Sequence, residues 1–287
     1  MSICCALFGL SKQAYYKQVK YEQRKATLWQ PIRASILNMR RSMPRLGTRK
    51  LHYLLKESGI SIGRDQLFDL LRQEDMLVPT RKKYVRTTDS SHWMRKYPNL
   101  IKDIELVRPE QVWVADITYL NTEADGNLYL HLITDAYSKQ IMGYELCNNM
   151  NADSTDKAMQ MALNNRIHKD QPLIHHSDRG SQYCSKLYVD RLKAGQVTIS
   201  MTESGSPYDN AIAERVNGIL KTEFGLGDQL TDQKEAIKQT EQSIFTYNHH
   251  RPHLSCHMLT PIQMHKQKTI KIKSYKRPRL SFVDELF

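Results

Sequence analysis

One aspartate constrains this chain more than any other residue. Asp116 stands in the middle of the run VWVADITYL, which reads as a β-strand buried on at least one face. An ionised carboxylate there is costly unless it is paired, hydrogen-bonded or bound to a cation. Two more acids sit in comparable settings. Asp178 closes the short apolar run LIHHSD, at a strand end where a crossover to a helix exposes side chains. Glu214 lies on a helix released by Gly205, Ser206 and Pro207. There Ile212, Val216, Ile219 and Leu220 recur at helical spacing as an apolar face. Asn210, Glu214, Asn217 and Lys221 form a second, polar face.

These acids fall within a strand-rich middle. VWVADITYL, LYLHLITDAYS and IMGYEL are three successive strands, with Asp125-Gly126 as the hairpin signal between the first two. A helix over 154–165, the strand LIHHSD, a helix over 185–193, the strand VTISMT, the Glu214 helix and a helix over 233–248 follow. Hairpins followed by alternating strands and helices give an α/β fold, a mixed five-stranded sheet covered by helices. The expected divisions are a helical, helix–turn–helix-like domain over 1–80, a basic linker over 81–108, the sheet domain over 109–264 and a basic tail over 265–287. In the first of these, Ser11 caps a helix after a turn at Gly9, and Trp29, Ile32, Ile36 and Met39 mark a longer one broken by Pro44 and Gly47. Leu51, Leu54 and Leu55 lie on the next, which Gly59 ends, and Ser61 caps a helix carrying Leu67, Leu70 and Leu71. Such a domain either binds DNA or is a bundle that supports the sheet domain or a subunit contact.

The net charge of +12 is unevenly spread. Residues 1–100 carry +13, 101–264 carry −6 and 265–287 carry +5. Basic arms around an acidic middle suit a polyanionic partner for the arms and cations for the middle. No apolar run is long enough to span a membrane, and MSICCALFGLSK is too short and too soon polar for a signal peptide. Five cysteines without a framework point to a reducing, cytoplasmic setting.

Any one of the three acids alone reads as structural or exposed; their placement on two strands and a helix makes them a set. Hard carboxylate oxygens of this kind suit Mg2+ or Mn2+. Two such ions about 4 Å apart can activate a nucleophile and stabilise a leaving oxygen in phosphoryl transfer. The cluster His249, His250, His253, Cys256 and His257 has crowded spacings that match no zinc finger.

Thirty-five residues separate Asp178 from Glu214. With Asp116, this resembles the D-D-35-E signature of retroviral integrases and bacterial insertion-sequence transposases. The flanks HHSDRGSQY, SPYDNAIAERVNGILKTE and YNHHRPHLSCHMLTPIQ resemble the integrase-core transposases encoded by the downstream frame of a two-frame insertion sequence. So do SKQAYYK and the Pro44–Gly47–Arg49 segment near the start. The resemblance implies an RNase H-like core and metal-dependent cleavage of DNA at element ends, followed by strand transfer. It implies Asp116, Asp178 and Glu214 as catalytic metal ligands, with two Mg2+ or Mn2+ ions. It implies double-stranded DNA, both element ends and target, as partner, a homo-oligomer that pairs two ends, and an upstream-frame helix–turn–helix partner or fusion. When bound to DNA, such a protein is associated with the nucleoid.

Lys221 is expected at phosphate or end-base contact. Asn210 and Asn217 orient DNA or a metal-bound water, or else cap the helix and face solvent. Arg179 and Gln182, with Gly180, Ser181 and Tyr183, shape a loop beside the scissile phosphate, where Gly180 provides backbone freedom. His176 lies near the metal or is a satisfied core histidine. Arg251 either packs a helix end or touches DNA. The alternative functions are a DNA-binding regulatory or partner-dependent subunit, and a related nuclease without joining activity.

Overall fold

The computed structural model describes residues 9, 11–79, 94–102, 104–203, 210–267 and 269–272. The chain forms two compact units, residues 1–81 and 82–287. Most of the expected basic linker, with Arg81, Lys82, Lys83 and Arg86, lies outside the described residues.

The first unit holds α1 (Lys12–Ser42), α2 (Thr48–Glu57) and α3 (Arg64–Gln73). The Ser11 hydroxyl caps α1 by accepting from the Ala14 amide at 3.1 Å. The two helices expected between Ser11 and Pro44 are one 31-residue helix, which continues through Pro31. Gly59, at φ 79°, ends α2 as expected, with the Ile60 amide donating to the Leu55 carbonyl at 2.9 Å. The cap of α3 is Gly63, not Ser61. Trp29, Ile36, Leu46, Leu51, Leu55, Leu67 and Leu71 are buried in this unit.

The second unit is built on β1 (Val112–Thr122), β2 (Gly126–Asp135), β3 (Ile141–Cys147), β4 (Leu173–Ser177) and β5 (Val197–Met201). Its helices are α4 (Ala152–Asn164), α5 (Ser181–Cys184), α6 (Lys186–Ala194), α7 (Ala211–Glu223), α8 (Gln233–His249) and α9 (Pro261–His265). The sheet order is β3-β2-β1-β4-β5. β1–β3 pair antiparallel, while β4 runs parallel to both β1 and β5. This is the mixed five-stranded sheet expected of an RNase H-like core.

Side chains alternate across β1 and divide the core in two. Trp113 and Ala115 pack with Ala158, Met159 and Ala162 of α4 and with Tyr188 and Leu192 of α6. Val112 and Val114 face the other way, toward Ala213 and Ile212 of α7. Asp116 has the parity of the second set, so the strand aims it at the α7 side. Ile101, Ile104 and Leu106, from the stretch read as linker, pack on that same side. At the other end, α9 runs through the expected start of the tail, and Ile270 and Ile272 pack beside Tyr137, Cys256 and Met264.

Gly143 on β3 is where α4 comes closest to the sheet. A Cβ there would stand 2.7 Å from the Ala162 amide nitrogen and closer still to the Ala158 carbonyl oxygen. Both are backbone atoms, so relief requires the helix to move. Gly143→Ala is expected to cost about 3 kcal/mol of stability, read as a shift in the denaturant midpoint.

Candidate active site

Strand register brings the two aspartates together. Val114 pairs with His176 across β1 and β4. Two residues further on, Asp116 is still in β1 and Asp178 follows directly on the end of β4, close enough for its charge to act on Asp116. The Asp178 carboxylate accepts from the Gly180 amide at 2.9 Å through Oδ1. That bond ties down the turn leading into α5.

α7 supplies the third side. It is fastened to β1 by the buried Asn210, whose Nδ2 donates to the Ala115 carbonyl at 2.9 Å. Two turns along, Asn217 donates through Nδ2 to Asp116 Oδ2 at 2.8 Å, while the Ile117 amide donates to Oδ1 at 2.9 Å. Glu214 lies one turn before Asn217 on the same face, with its side chain exposed. Lys221 lies one turn after, half-buried, with its ammonium 4.1 Å from the centroid of the Tyr119 ring. Burial lowers the Lys221 pKa, against the attraction of Asp116.

The electrostatics are one-sided. Burial raises the Asp116 pKa to about 7, and the neighbouring charges of Asp178 and Glu214 add to that rise. The bonds from Asn217 and Ile117 oppose it without cancelling it. Negative charge is thus concentrated where β1, the end of β4 and α7 meet. Among the described residues no three His, Cys, Asp or Glu side chains are already arranged to hold a metal ion. The donor set itself fits one: the acids are oxygen donors, and an Asp116 whose pKa is raised first by burial and then by two like charges ionises more readily once a cation offsets them.

The remaining expected residues divide. Arg179 and Gln182 are half-buried beside Asp178, and the Gln182 side chain folds over Gly180. Gly180 has an ordinary φ of −62°, so backbone freedom is not its role; its amide holds Asp178 instead. His176 is a core histidine whose ring bonds Ser200 Oγ at 2.8 Å. Asn217 is committed to Asp116 and does not face solvent. Arg251 lies elsewhere. It is buried, and Nε and Nη2 each donate at 2.8 Å to Glu223 at the end of α7, which fits the helix-end alternative and takes up the guanidinium. The histidines of the C-terminal cluster are dispersed: His253 bonds the Tyr247 hydroxyl, His257 bonds the Lys271 carbonyl, and His249 stacks on Phe245.

Sequence reading missed one charged cluster entirely. The buried Glu110 accepts from the amides of Ile167 and His168 at 2.7 and 2.6 Å, and from His265 Nε2 at 3.3 Å. Asp135 accepts from the amides of Glu110 and Ser138, both at 2.7 Å, and lies 3.8 Å from His265 Nδ1. One signal was available. Thr260-Pro261-Ile262-Gln263 is a capping-box sequence, which starts a helix and carries His265 into the core.

The chain is similar to known families and proteins. Residues 107–207 and 195–261 match integrase core domain families. The "Insertion element IS600 uncharacterized 31 kDa protein" of Shigella sonnei is 35% identical over 264 residues, spanning 90% of this chain and 95% of that one. "Transposase InsF for insertion sequence IS3A" of Escherichia coli K12 is 32% identical over 226 residues, spanning 78% of this chain and 77% of that one. Among solved structures, the HTLV-2 integrase catalytic core domain in complex with magnesium is similar at 19% identity and a TM-score of 0.45. It covers 55% of this chain and 98% of its own.

Proposed function

This chain belongs to the integrase core family of insertion-sequence transposases, and we propose that Asp116, Asp178 and Glu214 are the carboxylates with which it cuts and joins DNA. The observation that carries the reading is the electrostatic coupling at Asp116, whose ionisation is opposed by both Asp178 and Glu214. The three acids would hold Mg2+ or Mn2+, one ion or two. Bound there, the ions would supply charge to offset the phosphodiester and to favour the deprotonated form of an attacking hydroxyl.

The chain's own residues do the positioning. Asn217 and the Ile117 amide fix both oxygens of Asp116, and the Gly180 amide fixes Asp178. α7 presents Glu214 from a helix anchored at two points, Asn210 and Asn217. In the first reaction the oxygen of water attacks the phosphorus at an element end, the P–O3′ bond breaks and a 3′-hydroxyl is freed. In the second, that hydroxyl attacks another phosphodiester, so one P–O bond is exchanged for another and no outside energy source is needed. Lys221, Arg179 and Gln182 border the three acids and are the candidates to meet the phosphate. Joining requires two ends at once, so the working form is an oligomer on duplex DNA. A fusion to an upstream-frame product remains compatible with this chain's own role. Among the described residues no helix is long and apolar enough to cross a membrane.

The test is joining of a labelled, pre-cut end of the element in Mg2+. The wild-type chain is expected to produce joined strands, and Asp178→Asn to produce none while still binding the duplex. Joined product from Asp178→Asn would overturn the assignment. Hydrolysis without joining would favour the nuclease reading.

A further inference from the structure

In the helical unit, the helix placed to read DNA in a helix–turn–helix is poorly suited to it. By position that helix is α3, the second of the pair α2–α3. Yet residues 57–75, which contain α3, hold two basic and five acidic residues. Both basic residues are engaged locally: Arg64 Nε donates to Asp65 at 2.8 Å, and Arg72 Nη1 donates to Asp69 at 2.7 Å. A phosphate approaching α3 would meet net negative charge and arginines already turned aside.

The segment just before it is the opposite. Residues 23–56 hold nine Lys or Arg and no Asp or Glu. Within it, Arg41 is exposed in the last turn of α1, and Arg49 is exposed in the first turn of α2, across the short link through Pro44 and Gly47. Arg49, Tyr53 and Lys56 share one face of α2 at helical spacing, opposite the buried Leu51 and Leu55. Arg49 and Lys56 are exposed and about 10 Å apart along the axis. Arg40 braces the corner: its Nη2 donates to the Leu46 carbonyl at 3.3 Å, and burial lowers its pKa. The result is a pair of exposed cations, Arg49 and Lys56, with Tyr53 between them on one face of α2, and a third, Arg41, at the end of the preceding helix.

We propose that the α1–α2 corner, through Arg41, Arg49 and Lys56, is a binding surface for the phosphate backbone of duplex DNA, and that α3 is a supporting helix. The identity of the polyanion rests on the transposase reading above. The surface recognises phosphates, not bases, so it holds the duplex without choosing its sequence.

The experiment is binding of the full chain to a labelled duplex in EDTA across a salt series. Reading it without divalent ions separates it from the carboxylate site, because loss of cleavage chemistry leaves this binding intact. The R41Q/R49Q/K56Q variant is expected to bind roughly a hundredfold more weakly at 0.1 M salt, and its log–log salt slope to flatten by about 2.7. R64Q/R72Q is expected to bind within about twofold of wild type, as it loses only arginines already paired. All five positions are exposed, so the thermal melts of both variants report whether the fold is kept. Wild-type affinity and slope in R41Q/R49Q/K56Q would overturn the proposal and leave the corner for an acidic protein partner. An equal loss in both variants would overturn it too.

Discussion

Asp116→Asn is expected to abolish DNA cleavage and joining, by about three orders of magnitude or more, while making the metal-free protein more stable. The two effects have one cause. At pH 8 the folded protein holds Asp116 ionised against burial and against the charges of Asp178 and Glu214. Its pKa is raised, to about 7, above that of the unfolded chain. The contribution is therefore favourable at low pH and lost as pH rises from about 4 through 7. Asparagine removes the charge and keeps the shape. It can still accept from the Ile117 amide, and Asn217 can turn its amide to meet the new side chain. The net gain is about 1 kcal/mol at pH 8, smaller than the full shift because the site is partly open to water. At pH 5 wild-type Asp116 is protonated in the folded protein but already ionised in the unfolded chain, so the gain is expected to shrink to about a third, and to vanish only below about pH 4. Melting curves of both proteins at the two pH values check this. A variant less stable than wild type at pH 8 would mean that Asp116 is not strained by its neighbours.

His265→Leu is expected to be the most destabilising single change in the sheet unit, by about 3–5 kcal/mol. Burial alone would lower the His265 pKa. The nearby charges of Asp135 and Glu110, with the hydrogen bond to Glu110, outweigh burial and push it up to about 9. His265 is thus a buried cation between two buried acids. Burial likewise opposes ionisation of Glu110, but bonds from His265 and from the amides of Ile167 and His168 hold its pKa below the ordinary value. Leucine fills space but removes the cation nearest both carboxylates, leaving Glu110 only the longer 3.9 Å ion pair with Arg166 Nε. The sign follows from the raised pKa: the stabilisation is complete below about 6.5 and fades as pH rises through about 9. Chemical denaturation between pH 6 and 9.5 is the measurement. Wild type is expected to lose stability over that window, and His265→Leu to show a flatter profile from a lower start.

The parts of this protein visible in its sequence are those governed by local pattern. The apolar run VWVADITYL marked β1, and helical spacing marked the apolar side of α7. Asp125-Gly126 marked its hairpin, and the Gly126 φ of 74° is what that turn demands. What stayed hidden depends on contacts between segments far apart in the chain. Nothing near Asn217 reveals that its amide meets Asp116, 101 residues earlier. Arg251 read equally as a helix-end contact or a DNA contact; its partner Glu223, at the end of α7, lies 28 residues earlier in the chain. His265 opens a basic stretch and so read as tail, although its charge is what the buried Glu110 and Asp135 require. Asp178 shows both sides. Its place at a strand end was legible, whereas its adjacency to Asp116 came from the pairing of β4 with β1, which no local pattern encodes.

Titration of the metal-free protein with Mn2+, followed by calorimetry, addresses the three carboxylates without relying on DNA or turnover. Wild type is expected to bind Mn2+ with release of protons near pH 7, since Asp116 is partly protonated there and must ionise on binding. Asp116→Asn is expected to bind at least tenfold more weakly and to release no proton from that position. Equal affinity and equal proton release in the two proteins would contradict the claim that Asp116, Asp178 and Glu214 form one cation-binding centre.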